Sequence, residues 1–444
     1  MKQQIIITTD LGYGDAGKGT MIDALVHKEN IDLVVRYSGG AQAAHNVITP
    51  DGRHHTFAQF GSGSFRSGTQ TYLGPKMLAQ PQFLLAEAQA LQKLGVVDPL
   101  SLLTIDARAP IITPYHQLVN RLKELARGSG RHGSTGIGIG ETRADSENVK
   151  VQHLTAGDLA SPDLKHKLSE IRDQKRDLMM TLLHVNANNS DIIKLWHMFD
   201  DKELLAESVR SYTELSSRVQ IANSSILRET LHAGKRVIFE AAQGTLLDED
   251  YGFFPYVTRG KVTTIHAHEL LAEVGYTDPA YVLGTVRAYA ARHGPGPFPT
   301  ENAWLRSQIH EQHNDHGDWQ GAFRMGHFDM VATKYAMEAN GQIDGLAVTS
   351  IDQLEKMKSF HFASQYRDAT GSEYSQLTLP EKGNLAELEK LSSWLMQGVS
   401  PLYEARPMST KNVVEAISSI LQKPVAAISE GMTREDKTFF EAAV

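Results

Sequence analysis

The stretch Gly12-Tyr13-Gly14-Asp15-Ala16-Gly17-Lys18-Gly19 sets a lysine and an aspartate inside a glycine-rich turn, a combination suited to phosphoryl transfer. Glycines let successive backbone N–H groups converge on a phosphate, and a lysine at the end of such a loop brings a mobile charge to the outer phosphates. Phosphate loops of the usual kind close with Gly-Lys-Ser/Thr, whose hydroxyl binds magnesium. Here Gly19 occupies that place and Thr20 follows it. The metal therefore needs another oxygen, and Asp15 is the nearest candidate.

The elements around the loop fit this reading. Residues 4–9 are rich in isoleucine and threonine, as a buried strand should be, and residues 21–26 suit the start of a helix. Strand-like runs recur at residues 33–37, 101–105, 236–240, 280–284, 345–352 and 425–429, with helical stretches at 81–94, 115–126 and 329–339. This alternation predicts an α/β fold of the P-loop NTPase-like kind: a large, mainly parallel central sheet with helices on both faces and ligands at the carboxyl ends of strands. Residues 162–232 are polar, charged and nearly free of strand signals, so they are expected to form a helical insertion. No linker divides the chain, which is read as a single domain over residues 1–444.

Composition narrows the function classes. A net charge of -8 argues against nucleic acid as the partner, because a phosphate backbone calls for a basic face. The absence of cysteine excludes disulfides, thiolate metal sites and a cysteine nucleophile together. Few apolar residues precede Asp10, too few for a secretory core, and no run approaches the length of a membrane span. The expectation is a cytoplasmic protein that engages neither membrane nor nucleic acid.

Six polar or glycine-rich clusters stand out, at residues 39–46, 133–140, 240–245, 294–301, 318–324 and 349–352. With the loop they make an ordered set of motifs: G-D-x-G-K-G at 14–19, R-Y-x-G-G-x-x-A-x-H at 36–45, T-G-x-G-I-G at 135–140, E-x-A-Q-G-T-L-L-D at 240–248, P-Y-V-T at 255–258 and R-A-Y-x-x-R-x-G-x-G-P-F-P-T-E at 287–301. On these motifs the chain resembles the adenylosuccinate synthetases, ligases that join L-aspartate to IMP at the expense of GTP. The resemblance runs from about residue 5 to residue 434.

The resemblance implies roles. Asp15 matches the family's catalytic base, which removes the purine N1 proton so that O6 can attack the γ-phosphate of GTP, and a carboxylate is also a hard ligand for Mg2+. His45 matches a general acid acting on the transferring phosphoryl group, and the Ala44 carbonyl would join Asp15 in the magnesium shell. Gln243 matches the amide that holds the purine, and Gln42, Thr135 and Thr258 fall with it in the IMP site. The donor nucleotide would be held by Gly14, Gly17, Lys18, Gly19, Thr20 and Asn46, with Ser350, Asp352, Ser429 and Gly431 around its base. Asp352 supplies a carboxylate for guanine's two donors. Family members are homodimers in which an arginine of the second subunit reaches the IMP phosphate, and Arg143 is the arginine available for that role.

Two loops depart from the family pattern. The aspartate loop, an arginine-rich run in the family, is here Asp318-Trp319-Gln320-Gly321-Ala322-Phe323-Arg324, with Arg324 where a carboxylate-gripping and nucleotide-binding arginine falls. Ser350 stands in place of a lysine that flanks the base. These departures keep open a relative acting on (d)GMP, with ATP as an alternative donor, like the aminoadenylosuccinate synthetases of some viruses. A GTP-binding regulatory protein is the rival from another class. The spacing of His310, His313 and His316 suggests a metal site only superficially, since loop histidines beside Asp315 and Asp318 are more often solvated.

Overall fold

The run Ile5-Ile6-Ile7 is apolar at consecutive positions, the signature of a strand buried on both faces. In the computed structural model, which describes residues 3–130, 134–186, 188–309 and 321–440, this run opens β1 (Ile5–Asp10), and every residue of that strand is buried. Ile5 and Ile7 pack on one side with Phe239 and Val282, while Ile6 packs on the other with Met21, Ile22 and Leu25 of helix α1 (Lys18–Glu29). Each fully buried aliphatic side chain contributes roughly 1.5–3 kcal/mol, so β1 sits where the fold is hardest to displace.

Nine further strands complete the central sheet among the described residues. They are β2 (Leu33–Arg36), β3 (Gln70–Leu73), β4 (Leu103–Asp106), β5 (Gln220–Ala222), β6 (Val237–Gly244), β7 (Tyr281–Arg287), β8 (Gly345–Thr349), β9 (Val425–Ser429) and β10 (Lys437–Phe439). Their spatial order is β10-β9-β8-β7-β1-β6-β2-β3-β4-β5, and every pairing is parallel except the terminal β9–β10 pair. The fold is thus mixed α/β with a large, mostly parallel sheet.

The expected strand at 345–352 stops early, at Thr349, because Ser350 turns to φ 58° and swings the chain out of the sheet. The short strands β3 and β5 escape sequence reading, since Gln70-Thr71 and Gln220 interrupt the apolar signal. An antiparallel pair, Ser359–Asp368 with Val399–Pro407, lies outside the main sheet. No helix among the described residues is long and apolar enough to cross a membrane.

Residues 162–232 form four helices, α4 (Leu164–Val185) and then Ser190–His197, Lys202–Arg218 and Ser225–His232, and they also supply the edge strand β5. A buried polar cluster ties this segment to the rest. The backbone N–H of Thr113 donates to His116 Nδ1 (3.0 Å), so the ring carries its proton on Nε2 and donates to Asp145 Oδ2 (2.9 Å). Lys175 of α4 donates to the other Asp145 oxygen at 2.5 Å. Asp145 lies on α3 (Ile139–Ser146) and His116 on α2 (Pro114–Arg127), so one carboxylate joins three helices.

A second buried carboxylate gives the fold a pH signature. Asp329 caps the helix Met330–Asn340 through the Ala332 N–H (2.9 Å) and accepts from the Tyr366 hydroxyl (2.5 Å). Burial raises its pKa from the ordinary 3.8 to about 6. The folded state therefore binds this proton more tightly than the unfolded chain, and stability is lost as pH rises from about 4 to about 6, by about 3 kcal/mol for this group. Asp329→Asn, which keeps a capping oxygen but cannot ionise, is expected to escape that loss. Urea unfolding of both proteins at pH 4 and pH 7 checks it, and an unchanged gap between them would refute it.

Candidate active site

Strands β1, β6, β7, β8 and β9 deliver their carboxyl ends to one cavity of about 900 Å3, where an open α/β sheet is expected to bind its ligands. The loop after β1 forms its floor and is folded around Asp10. Asp10 is fully buried; its Oδ1 accepts from the Gly12 N–H (2.9 Å), and its Oδ2 accepts from the Ala16 N–H (3.2 Å) and from Lys18 Nζ (2.7 Å). Lys18 thus enters the cavity floor already neutralised. Asp15 takes φ 56°, a left-handed conformation that aspartate tolerates better than most residues.

The glycine at position 19 has a steric cause. A Cβ there would lie 2.9 Å from the His45 Cβ and 3.0 Å from the Asn46 carbonyl oxygen. The first turn of α1 therefore packs directly on the hairpin His45–Ile48/His54–Phe57, and the usual serine does not fit unless the hairpin moves. Gly244 has the same role at the end of β6, where a Cβ would meet the Gly14 nitrogen at 2.1 Å.

His45 is held by a partner that the sequence did not announce. Its Nδ1 lies 2.5 Å from Glu240 Oε1 and its Nε2 lies 3.1 Å from the Ala242 carbonyl. Glu240 also accepts from the Ser62 N–H (3.0 Å) and hydroxyl, and the buried Arg36 guanidinium stands 4.0 Å away. Burial alone would raise the Glu240 pKa, but the Arg36 charge, the His45 contact and the Ser62 bond outweigh it and hold the carboxyl at about 2. Burial in turn lowers the His45 pKa, with Glu240 opposing. A carboxylate on Nδ1 holds a proton there, and the Ala242 carbonyl, which only accepts, is placed to take a proton from Nε2 when the ring is charged.

Asp15 faces His293. Nε2 of His293 lies 3.2 Å from Asp15 Oδ2, and Arg287 lines the cavity nearby. Burial pushes the Asp15 pKa up, yet the His293 hydrogen bond and then the charges of His293, Arg287 and Lys18 bring it below the ordinary 3.8. Gln42 and Gln243 line the same part of the cavity. Both amide atoms of Gln42 and the carbonyl oxygen of Gln243 are buried with no partner among the described residues, and polar atoms left so are costly unless a ligand meets them. Thr135, Thr258 and Ala44 also line the wall.

At the far end, Ser350, Asp352, Ser429, Gly431 and Met432 line the cavity with Gly14, Gly17, Gly19, Thr20 and Asn46 leading toward them. Ser350 is again left-handed, at φ 58°. Gln353 donates to Asp352 Oδ2 at 2.7 Å, and the Thr20 hydroxyl donates to the Met432 carbonyl at 2.9 Å. Lys437 secures the closing loop through the Gly431 (2.8 Å) and Thr433 (2.7 Å) carbonyls, its pKa pushed down to about 8 by burial.

Other expected residues are elsewhere. Arg324 does not line the cavity: it donates to the carbonyls of Gly294 (3.0 Å) and Gly296 (2.9 Å) and to Glu301 (2.7 Å), which uses its fork to hold the 294–301 loop. Gly321, Ala322 and Phe323 are also absent from the lining, and Phe323 is buried. Asp318, Trp319 and Gln320 lie outside the described residues, as do His310, His313 and His316. Arg143 pairs with Glu147 (2.6 Å) and approaches Glu249 (4.0 Å), bordering a small adjoining cavity. Sequence reading passed over Asp10, Glu240, Arg287 and His293. A carboxylate set in or at the end of a buried strand, as Glu240 and Asp10 are, is the signal that points to the first two, because such a group must be paired.

The donor set fits a hard cation. Asp15 contributes one carboxylate whose Oδ1 is not taken by His293, and the Ala44 carbonyl lines the same cavity. One carboxylate, a carbonyl and substrate phosphate oxygens suit Mg2+, which keeps several water ligands and seldom uses an all-protein cage.

Comparison with known proteins finds relatives that cover nearly the whole chain. The family model described as adenylosuccinate synthetase matches residues 7–438. The adenylosuccinate synthetase of Pseudomonas fluorescens is 31% identical over 443 residues, 98% of this chain and 97% of its own. That of Xylella fastidiosa is 33% identical over 444 residues, 97% of each chain. Among solved structures, fully ligated adenylosuccinate synthetase from Plasmodium falciparum superposes with a TM-score of 0.75 at 22% identity, covering 99% of this chain and 100% of that one. The cyanophage S-2L succinoaminodeoxyadenylate synthetase, bound to dGMP and to dATP as energy donor, superposes with a TM-score of 0.61 at 17% identity, covering 100% and 97%.

Proposed function

Since this chain belongs to the adenylosuccinate synthetase family, we propose that its cavity joins IMP to L-aspartate in two steps, with GTP as phosphoryl donor. The enzyme is an adenylosuccinate synthetase, a ligase of AMP biosynthesis. The observation that carries the assignment of roles is that one cavity is lined by the loop lysine, by Asp15 with His293, by His45 backed by Glu240, and by two glutamines with buried amide atoms unmet among the described residues. A protein that only sensed GTP would have no use for the second half of that cavity.

In this reading the Asp15 carboxylate accepts the N1 proton of IMP, and electron density moves to O6, which attacks the γ-phosphorus as the bond to the β-phosphate oxygen breaks and GDP leaves. Gln42 and Gln243 satisfy their amides on the purine, and Thr135 and Thr258 take its phosphate. His45 Nε2 faces the transferring group, and Lys18 shares its charge between Asp10 and the donor's phosphates. The cost of bringing these groups together is met by folding, so the reaction gains mainly from positioning and charge neutralisation. Asp15 and the Ala44 carbonyl would hold Mg2+, which when bound spreads the negative charge of the phosphate oxygens. The amine of aspartate then displaces phosphate at C6. Residues 318–324 remain the aspartate loop of this reading, and Arg287 is a further cation that lines the cavity. Ser350, Asp352, Ser429 and Gly431 take the guanine base.

The reading includes one catalytic unit over the whole chain, with a phosphate loop of the P-loop type. It also includes a homodimer in which Arg143 reaches across to a second copy, and a cytoplasmic setting. The test is a coupled assay of IMP, GMP and dGMP against GTP and ATP, each with and without aspartate. Phosphate release is expected only with IMP, GTP and aspartate together. Product formed from dGMP alone, or an equal rate with ATP, would overturn the substrate assignment. GTP hydrolysis independent of purine and aspartate would overturn the mechanism.

A further inference from the structure

The loop from Ser429 to Lys437 leaves β9, lines the far end of the cavity and returns as β10, so Ser429 and Lys437 stand opposite each other in an antiparallel pair. Asp436 closes the loop at its base. Its carboxylate accepts from the Thr433 N–H and hydroxyl, both at 2.8 Å, and its carbonyl accepts from the Glu430 N–H at 3.0 Å. Gly431 is packed against the same side chain, where a Cβ would meet the Asp436 carboxyl carbon at 2.6 Å. Two contacts dock the loop on α1: the Thr20 hydroxyl on the Met432 carbonyl (2.9 Å), and Arg434 3.5 Å from Asp23.

Lys437 adds something these contacts do not need. Its side chain is buried, and its ammonium donates to the Gly431 (2.8 Å) and Thr433 (2.7 Å) carbonyls. Each carbonyl already has a neutral donor, the Ser429 hydroxyl at 3.1 Å and the Asp436 N–H at 3.2 Å. Asp436, Asp352 and Asp23 act on the ammonium through their charge, without a hydrogen bond. Taking a charge out of water for carbonyls that are already met is unfavourable unless the charge itself fixes the loop.

We propose that Lys437 is a positioning residue for the donor nucleotide: its charge holds residues 429–433 in the shape that lines the base end of the cavity, and donor affinity follows that charge. The proposal rests on the assignment of this end to the donor's base and adds a proton-dependent grip to it. Burial lowers the Lys437 pKa to about 8, with Asp436, Asp352 and Asp23 opposing. The other groups facing this cluster are His27, 3.4 Å from Asp23 on α1, Arg434, and Gln353 on Asp352. The amine is therefore charged at pH 7 and mostly neutral at pH 9. A neutral amine still donates to both carbonyls, but charge-assisted hydrogen bonds are about twice as strong.

The experiment measures GDP binding by calorimetry at pH 7 and pH 9, with KM and kcat for GTP at pH 7, in wild type, Lys437→Arg and Lys437→Met. The loss of GDP affinity between the two pH values is expected to be about tenfold greater in wild type than in the arginine variant, which stays charged. Ionisation of the ligand itself is common to both proteins and cancels. The methionine variant should raise the GTP KM about tenfold at pH 7, with kcat and IMP affinity nearly unchanged, and should lack the extra loss at pH 9. Should it fail to fold, wild type against the arginine variant carries the test. Equal losses in wild type and the arginine variant, or a methionine variant with an unchanged GTP KM, overturn the proposal, as does a fall in kcat and IMP affinity as large as the change in KM. A wild type that binds ADP as tightly as GDP refutes the assignment of the base end itself, whichever way the lysine result falls.

Discussion

Asp15→Asn is expected to lower kcat for adenylosuccinate formation by about 10³-fold, within the 10²–10⁴ range of a positioned general base. The substitution is close to isosteric, and asparagine tolerates the left-handed φ of 56° that this position requires. Its amide oxygen can still accept from His293, so the loop should keep its shape. What it loses is the capacity to take the N1 proton and the charge that favours a cation. The loss should therefore fall on kcat, with IMP affinity changed by less than about tenfold. Phosphate release that depends on both purine and aspartate measures the first quantity, and calorimetry with IMP the second. A variant retaining a tenth of wild-type turnover would remove Asp15 from the role of base.

Glu240→Gln should damage both chemistry and stability. Glu240 is fully buried and stays ionised at any working pH, its carboxyl at about 2. With the charge gone, the Arg36 guanidinium keeps its hydrogen bond to the Phe60 carbonyl (3.0 Å), while Nε and Nη2 have no hydrogen-bond partner among the described residues. Removing one member of a buried charge pair costs about 3–5 kcal/mol. For a chain of this size that should appear as a melting point lower by several degrees, roughly. The amide also faces His45 Nδ1 with either an oxygen or an N–H, so the tautomer of the ring is no longer dictated. Turnover is expected to drop by about 10²-fold to 10⁴-fold, the larger figure being the loss when the orienting carboxylate of a catalytic triad is neutralised. Full activity with a lowered melting point would show that Glu240 only supports the fold.

Legibility differs by element for physical reasons. Strands buried on both faces read as continuous apolar runs, so β1, β6, β7 and β9 were visible in the sequence with ends accurate to a few residues. β5 and the antiparallel pair Ser359–Asp368 with Val399–Pro407 were not, because half-exposed strands alternate or are too short to give a pattern. The site behaves similarly. Loop residues such as Gly14, Asp15, Lys18 and Thr135 fall in contiguous motifs, and the cavity gathers them. Glu240 lies 195 residues from His45, and His293 meets Asp15 across a distance no local pattern records.

The sequence by itself determined the family, the mixed α/β class and most of the loops that line the cavity, because these follow from local composition: glycines where the backbone turns sharply at a strand end, isoleucines where a strand is buried twice. Tertiary structure alone decided who holds the reactive groups. Arg324 occupies the place of a ligand-gripping residue but spends its fork on Gly294, Gly296 and Glu301. Gly19 is glycine because a hairpin from elsewhere in the chain presses on it. Asp15 carries an imidazole on one of its oxygens because the strand Ala290–His293 brings His293 to it. Hydrogen bonds and van der Waals contact act over a few ångströms of space, whatever the separation along the chain, so such pairings exist only once the sheet has brought its strand ends together.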